Sequence, residues 1–139
     1  VAYAEDKQKS ADFLEKKKKE GSYKVTESGL LFKVVKPGNG VKPTITDSIM
    51  VYYTGSFISG EVFDSNMDGK PMKTGLNSGL IKGFLEALQM MDEGSEAEVI
   101  IPYQLAYGEK GQVNPYTGQT IMEPYQTLVF KLKIDKILK

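Results

Sequence analysis

From Tyr23 onward, apolar and polar positions mostly alternate by twos. Leu128, Phe130, Leu132 and Ile134 are interleaved with Lys131, Lys133 and Asp135, the clearest strand signature in the chain, because successive strand side chains point to opposite faces. Ala97, Val99 and Ile101 against Glu96 and Glu98 predict a second strand, and Ile49, Val51, Tyr53 and Phe57 share one face of a third. Leu30-Leu31-Phe32-Lys33-Val34-Val35 reads as a strand stopped by Pro37-Gly38-Asn39-Gly40. After the turn Ser59-Gly60-Glu61 a further strand ends at Phe63-Asp64. One segment, Leu80 to Met91, changes period. Leu80, Ile81, Phe84, Leu85 and Leu88 form a stripe wide enough to press a helix onto a sheet, with Asn77 or Ser78 able to cap its start and Gly94 following its end. Strands flanking a single helix predict an α+β domain, an antiparallel β-sheet wrapped around one short α-helix.

Residues 1–22 have a different character. They hold Glu5, Asp6, Lys7, Lys9, Asp12, Glu15 and the run Lys16-Lys17-Lys18-Lys19-Glu20, with no glycine or proline before Gly21. Good helix formers dominate, and Gly21 suits a helix end. Ala4, Ala11 and Leu14, with Phe13 adjacent, make only a thin stripe, so a mostly solvated N-terminal helix or spacer is expected ahead of a domain at 23–139. The interleaved acids make the lysine run a solvated helix end rather than an anionic-surface contact.

Composition narrows the chemistry. The chain has 139 residues, one domain's worth. It has no cysteine and no histidine, which removes thiol chemistry, disulfides, the commonest general base and the commonest neutral metal ligand. Net charge is zero and all 18 basic residues are lysine, unlike an arginine-rich nucleic-acid face, so no nucleic-acid partner is expected. No phosphate-binding glycine motif occurs. Asp92, Glu93, Glu96 and Glu98 cluster in sequence, but strand alternation spreads them over a solvent face, so neither a metal nor a cofactor is expected. No apolar run approaches the ~20 residues of a bilayer span, so the chain as given is expected to be soluble. It begins at Val1 rather than Met, as a processed or trimmed protein would, and an export signal would then be invisible.

The candidate chemistry lies in Tyr52-Tyr53-Thr54-Gly55-Ser56-Phe57, Phe63-Asp64-Ser65, Leu80-Ile81-Lys82-Gly83-Phe84, Leu105-Ala106-Tyr107-Gly108 and Leu128-Val129-Phe130. Any one of these aromatics, taken singly, reads as core. Together, in this order, they resemble the FKBP-type peptidyl-prolyl isomerases over roughly residues 25–138. The resemblance implies an FKBP-like fold and an isomerase that accelerates rotation about X-Pro bonds in unfolded or partly folded polypeptides. It assigns Tyr53, Phe63 and Phe130 to the walls of a proline pocket, Phe84 to its floor, and Leu80-Ile81 to its rim. The Ile81 N–H would donate to a substrate carbonyl, since first-turn donors lack helical partners. Tyr107 would offer a hydroxyl and Asp64 an acceptor, although a carboxylate beside Ser65-Asn66 also suits a simple turn cap. A different class of function stays open: a catalytically weak FKBP-fold module that binds peptides as a chaperone.

Several positions depart from the family pattern. The floor, often Trp, is Phe84, and Tyr52 stands where histidine is common. Met72 or Thr74 replaces a wall aromatic. The resemblance names macrolides as inhibitors, and the changes at Phe84 and Met72 leave that affinity open. Residues 109–126 form a long segment with Pro115, Gly118 and Pro124, where the family carries a flap above the pocket; Ile121 or Met122 would supply its apolar contact. The junction from Lys19-Glu20-Gly21 into Val25-Thr26-Glu27-Ser28-Gly29-Leu30 resembles bacterial envelope members of the macrophage-infectivity-potentiator type. That implies a periplasmic protein or outer-membrane lipoprotein, tethered through a missing N-terminal region, with the cytoplasm as the alternative. A helix this short and poor in apolar residues is expected to leave the chain monomeric.

Overall fold

The computed structural model describes residues 4–138. Helix α1 runs Ala4–Glu20 and is followed by strands β1 (Lys24–Val25), β2 (Leu31–Lys36), β3 (Ser48–Phe57), β4 (Val62–Ser65) and β5 (Met72–Gly75). Helix α2 (Lys82–Met90) comes next, then β6 (Glu96–Ile101), a single 3₁₀ turn at Tyr103–Leu105, β7 (Gln112–Val113), β8 (Thr120–Met122) and β9 (Leu128–Leu138). Among the described residues, seven strands form one antiparallel sheet in the order β1-β2-β6-β9-β3-β4, with β5 also on β3. β3 is long enough to hold β5 along Ser48–Val51 and β4 along Thr54–Ser56 on the same edge.

The alternation of β9 is realised from Leu128 to Asp135, with Lys133 half-buried. Leu128, Phe130, Leu132 and Ile134 are buried, while Lys131 and Asp135 are exposed. α2 packs onto this inner face through Gly83, Phe84, Ala87 and Leu88. Gly83 matters here because a Cβ would run into the Ile101 side chain of β6, so only glycine lets the helix come this close. Leu85, counted in the predicted stripe, is only half-buried, and Gly83 and Ala87 take part of the contact face.

The helix start also differs from expectation. Ile81 occupies the N-cap position with extended backbone and no side-chain cap, while the Ser78 hydroxyl donates to the Gly75 carbonyl in the preceding turn, 2.6 Å away. Neither Asn77 nor Ser78 reaches the helix. Ile100 and Leu31, partners across β6 and β2, are buried on the opposite face of the sheet, so β6 is less one-sided than its Glu-Ala-Glu-Val start implies.

α1 is solvated along most of its surface, but its inward stripe is Asp6, Ser10, Phe13, Leu14 and Lys17 rather than the one through Ala11, which is exposed. Ser10 is its anchor. The hydroxyl is buried and donates to the Tyr125 carbonyl at 2.6 Å, and the Lys7 ammonium lies 5.7 Å from the Tyr125 ring centroid.

Candidate active site

Five rings converge at one end of the sheet. Phe84 on α2 meets Tyr53 edge-on at 6.5 Å between centroids and Phe130 at 5.4 Å. Phe130 meets Phe63 edge-on at 5.8 Å, and Phe63 leans on Phe57 at 4.9 Å. Three of these four contacts are edge-to-face, the arrangement that aromatic quadrupoles favour, and the Phe57–Phe63 pair is tilted. The sequence makes room for them at Gly55, paired with Asp64 on one side and Phe130 on the other. A Cβ there would come within 2.7 Å of the Phe63 ring and 2.8 Å of the Phe130 ring.

The rings border an open cavity of about 330 Å³. Tyr53, Phe63, Phe84 and Phe130 line it, with Leu80 and Ile81 from the turn into α2, Met72 from β5, Asp64 from β4 and Tyr107 from the segment after β6. Every residue assigned to the pocket itself is therefore brought together. Ile121 and Met122 are not among its lining; they border an adjoining cavity of about 280 Å³ together with Phe63, Asp64, Tyr107 and Gln112. Met122 is buried, and Ile121 is 57% exposed. Of Met72 and Thr74, Met72 is the one in the lining of this cavity.

Polar groups are few and fixed. The Tyr53 hydroxyl donates to Asp64 Oδ2 at 2.7 Å. Burial, then this bond and the Asp64 charge, push the phenol from 10.0 up to about 12, so it stays a neutral donor. Among the described residues, neither the Ile81 N–H nor the Tyr107 hydroxyl has a hydrogen-bond partner. Both belong to residues that line the cavity. Among the described residues no group of His, Cys, Asp and Glu side chains could hold a metal ion, and no helix is long and apolar enough to cross a membrane.

Three features escaped the sequence reading. Asn66 accepts from the Tyr53 N–H at 2.7 Å and donates to the Val51 carbonyl at 3.0 Å, clamping the backbone that carries Tyr53. Its signal was its place just after Phe63-Asp64-Ser65, where Asn commonly bonds backbone. Gln112 lines both cavities. The 109–126 segment is a β7–β8 hairpin rather than a plain loop, its turn held by Asn114 Oδ1 accepting from the Tyr116 N–H at 2.9 Å. Tyr125 closes it in a left-handed conformation (φ 62°), its N–H on the Gly108 carbonyl at 3.1 Å.

The fold is thus an antiparallel sheet wrapped on one helix, with an aromatic bowl at its end whose polar side chains include Tyr53, Asp64 and Tyr107. The model of the FKBP-type peptidyl-prolyl cis-trans isomerases matches residues 39–135. The chain is 43% identical over 127 residues to the 22 kDa FKBP-type peptidyl-prolyl cis-trans isomerase of Escherichia coli, covering 91% of this chain and 58% of that protein. It is 38% identical over 135 residues to the outer membrane protein MIP of Legionella longbeachae, covering 97% and 55%. The crystal structure of a peptidyl-prolyl cis-trans isomerase from Pseudomonas syringae superposes with a TM-score of 0.85 at 26% identity, covering 100% of this chain and 98% of that one. FkpA from Escherichia coli gives 0.85 at 31% identity, covering 99% and 61%. The chain belongs to the FKBP-type peptidyl-prolyl cis-trans isomerase family. It spans 55–58% of the length of these two curated relatives.

Proposed function

We propose that the aromatic bowl isomerises X-Pro bonds in unfolded or partly folded polypeptides. One observation carries the reading: Tyr53, Phe63, Asp64, Ile81, Phe84, Tyr107 and Phe130, assigned separately from distant parts of the sequence, line a single cavity.

Rotation about X-Pro breaks amide resonance, a barrier of roughly 18–20 kcal/mol. No covalent bond changes, so the protein has only to bind the twisted amide better than the planar one. Twisting withdraws charge from the carbonyl oxygen, which then needs less solvation. A dry aromatic wall therefore penalises the planar ground state more than the transition state. In this reading Phe84 is the floor, Tyr53, Phe63 and Phe130 the walls, with Met72 in place of a further wall ring, and Leu80 and Ile81 the rim. The Ile81 N–H donates to a substrate carbonyl, and the Tyr107 hydroxyl to the same peptide. Asp64, tied to Tyr53, holds that wall and accepts at the edge. Ile121 and Met122 meet the flanking residues from the hairpin. Assaying X-Pro exchange in a short peptide, with and without Phe130→Ala, tests the assignment; full activity in the variant would refute it.

The same reading divides the chain into a charged N-terminal helix or spacer at 1–22 and an isomerase domain at 23–139. It places the protein in a bacterial envelope, in the periplasm or on the outer membrane, where the Legionella relative's name puts that protein. Fractionation of the native organism's cells tests this, and recovery solely in the cytosol would refute it.

A further inference from the structure

A second cavity lies beside the proline pocket rather than in it. It is a groove of about 580 Å³ between α1, the β3–β4 turn and strand β8. Ser10 and Lys9 form its α1 side, Phe57 and Ile58 its apolar floor, and Ile121 stands on its hairpin side. The groove adjoins the bowl through shared lining residues. Ile121 also lines the cavity under the hairpin, and that cavity shares Phe63, Asp64, Tyr107 and Gln112 with the proline pocket. Phe57, in the groove, packs directly on Phe63, in the bowl.

The groove has a fixed shape and a definite charge. The buried Ser10 hydroxyl bonds the Tyr125 carbonyl, which fixes α1 to the hairpin's end and sets the width between them. Asp6, Glu61 and Glu123 stand on its rim against one lysine, Lys9, which approaches Glu5 at 3.9 Å. Among the described residues none of the three rim carboxylates has an ion-pair partner.

We propose that this groove is a second polypeptide subsite, taking the residues that flank the isomerised X-Pro bond and preferring a segment that carries lysine or arginine among apolar side chains. The proposal rests on the isomerase reading of the bowl. An extended chain advances about 3.3 Å per residue, and in this proposal a tetrapeptide occupies the bowl while a longer chain runs on under the hairpin into the groove.

The test compares a tetrapeptide with the same core extended by roughly six residues on its N-terminal or its C-terminal side, the extension bearing either Lys or Glu. Turnover is measured by exchange spectroscopy, and binding by fluorescence anisotropy of the labelled peptides. One Lys-bearing peptide should show a KM about two- to fivefold below its Glu counterpart at low salt, with kcat unchanged and the gap closing as salt rises. Glu61→Lys, at an exposed position, and Asp6→Lys, at a half-buried one on the rim, should abolish or invert that preference while leaving tetrapeptide turnover as it was. Equal KM for Lys and Glu peptides in the unaltered chain overturns the subsite, as does a preference that survives both variants. If the tetrapeptide is not turned over at all, the isomerase reading falls, and anisotropy still decides the groove: discrimination removed by Glu61→Lys supports it, and equal binding overturns it.

Discussion

The Tyr53 hydroxyl donates to Asp64 across the β3–β4 pair at 2.7 Å, joining a carboxylate that lines the aromatic pocket to one of its rings. The bond explains how one residue can be acceptor and strut together. Asp64 is exposed and carries no core packing, so its loss should act on the site and not on the fold. Asp64→Ala should leave the denaturation midpoint nearly unchanged, lower turnover roughly tenfold, and let the Tyr53 phenol fall back toward 10.0 in an ultraviolet tyrosinate titration. Unchanged turnover would remove Asp64 from the site.

The pocket rings also serve the core. Phe130 is 6% exposed and touches Phe63 and Phe84. Phe130→Ala should cost ~3–5 kcal/mol in chemical denaturation and abolish turnover. Gly55→Ala should lower turnover, because its methyl group would press on Phe63 and Phe130 together. A fully active Gly55→Ala would mean that the rings shift without consequence.

Turnover should be flat between about pH 6 and 8, since no histidine exists and Tyr53 is held neutral well above that range. Stability has edges on both sides. Tyr53 is raised to about 12, so the folded chain keeps a proton that the unfolded chain loses. That contribution is complete below about pH 10 and is lost as pH rises through about 12. Burial and the Glu98 partner raise Tyr23 as well. Asp92 is lowered, first by the Gly40 N–H at 2.6 Å, so its contribution is present above 3.8 and fades as pH falls through the lower folded value. Denaturation midpoints against pH should show that plateau and both declines. A bell-shaped rate profile near neutrality would contradict the site.

Ser10→Ala should cost about 1 kcal/mol and raise amide exchange in the 109–126 hairpin, because the hydroxyl is the hydrogen bond from α1 to its end. Unchanged exchange there would mean that the hairpin holds itself.

How much of this was legible in the sequence follows from the length over which a pattern repeats. β9 alternates from Leu128 to Asp135 and buries one face, so that stretch could be read residue by residue. The bowl was legible as a set because its members recur in family order, though no single ring declared itself. The β7–β8 hairpin was not, since strands of two and three residues show no period. The start of α2 misled because Asn77 and Ser78 are good caps, yet their turn closes on Gly75 instead. The docking of α1 was missed because it depends on one buried serine, Ser10, in a segment whose thin apolar stripe pointed to solvent.

The central claim is that this bowl turns over X-Pro bonds, and exchange of a short X-Pro peptide tests it most directly. Uncatalysed exchange takes tens to hundreds of seconds at 25 °C. The account predicts an exchange rate that rises in proportion to added protein and falls to the uncatalysed value with Phe130→Ala. Exchange left at the uncatalysed rate while the peptide binds in the bowl would contradict it, and would make the chain a peptide-holding module on an isomerase fold.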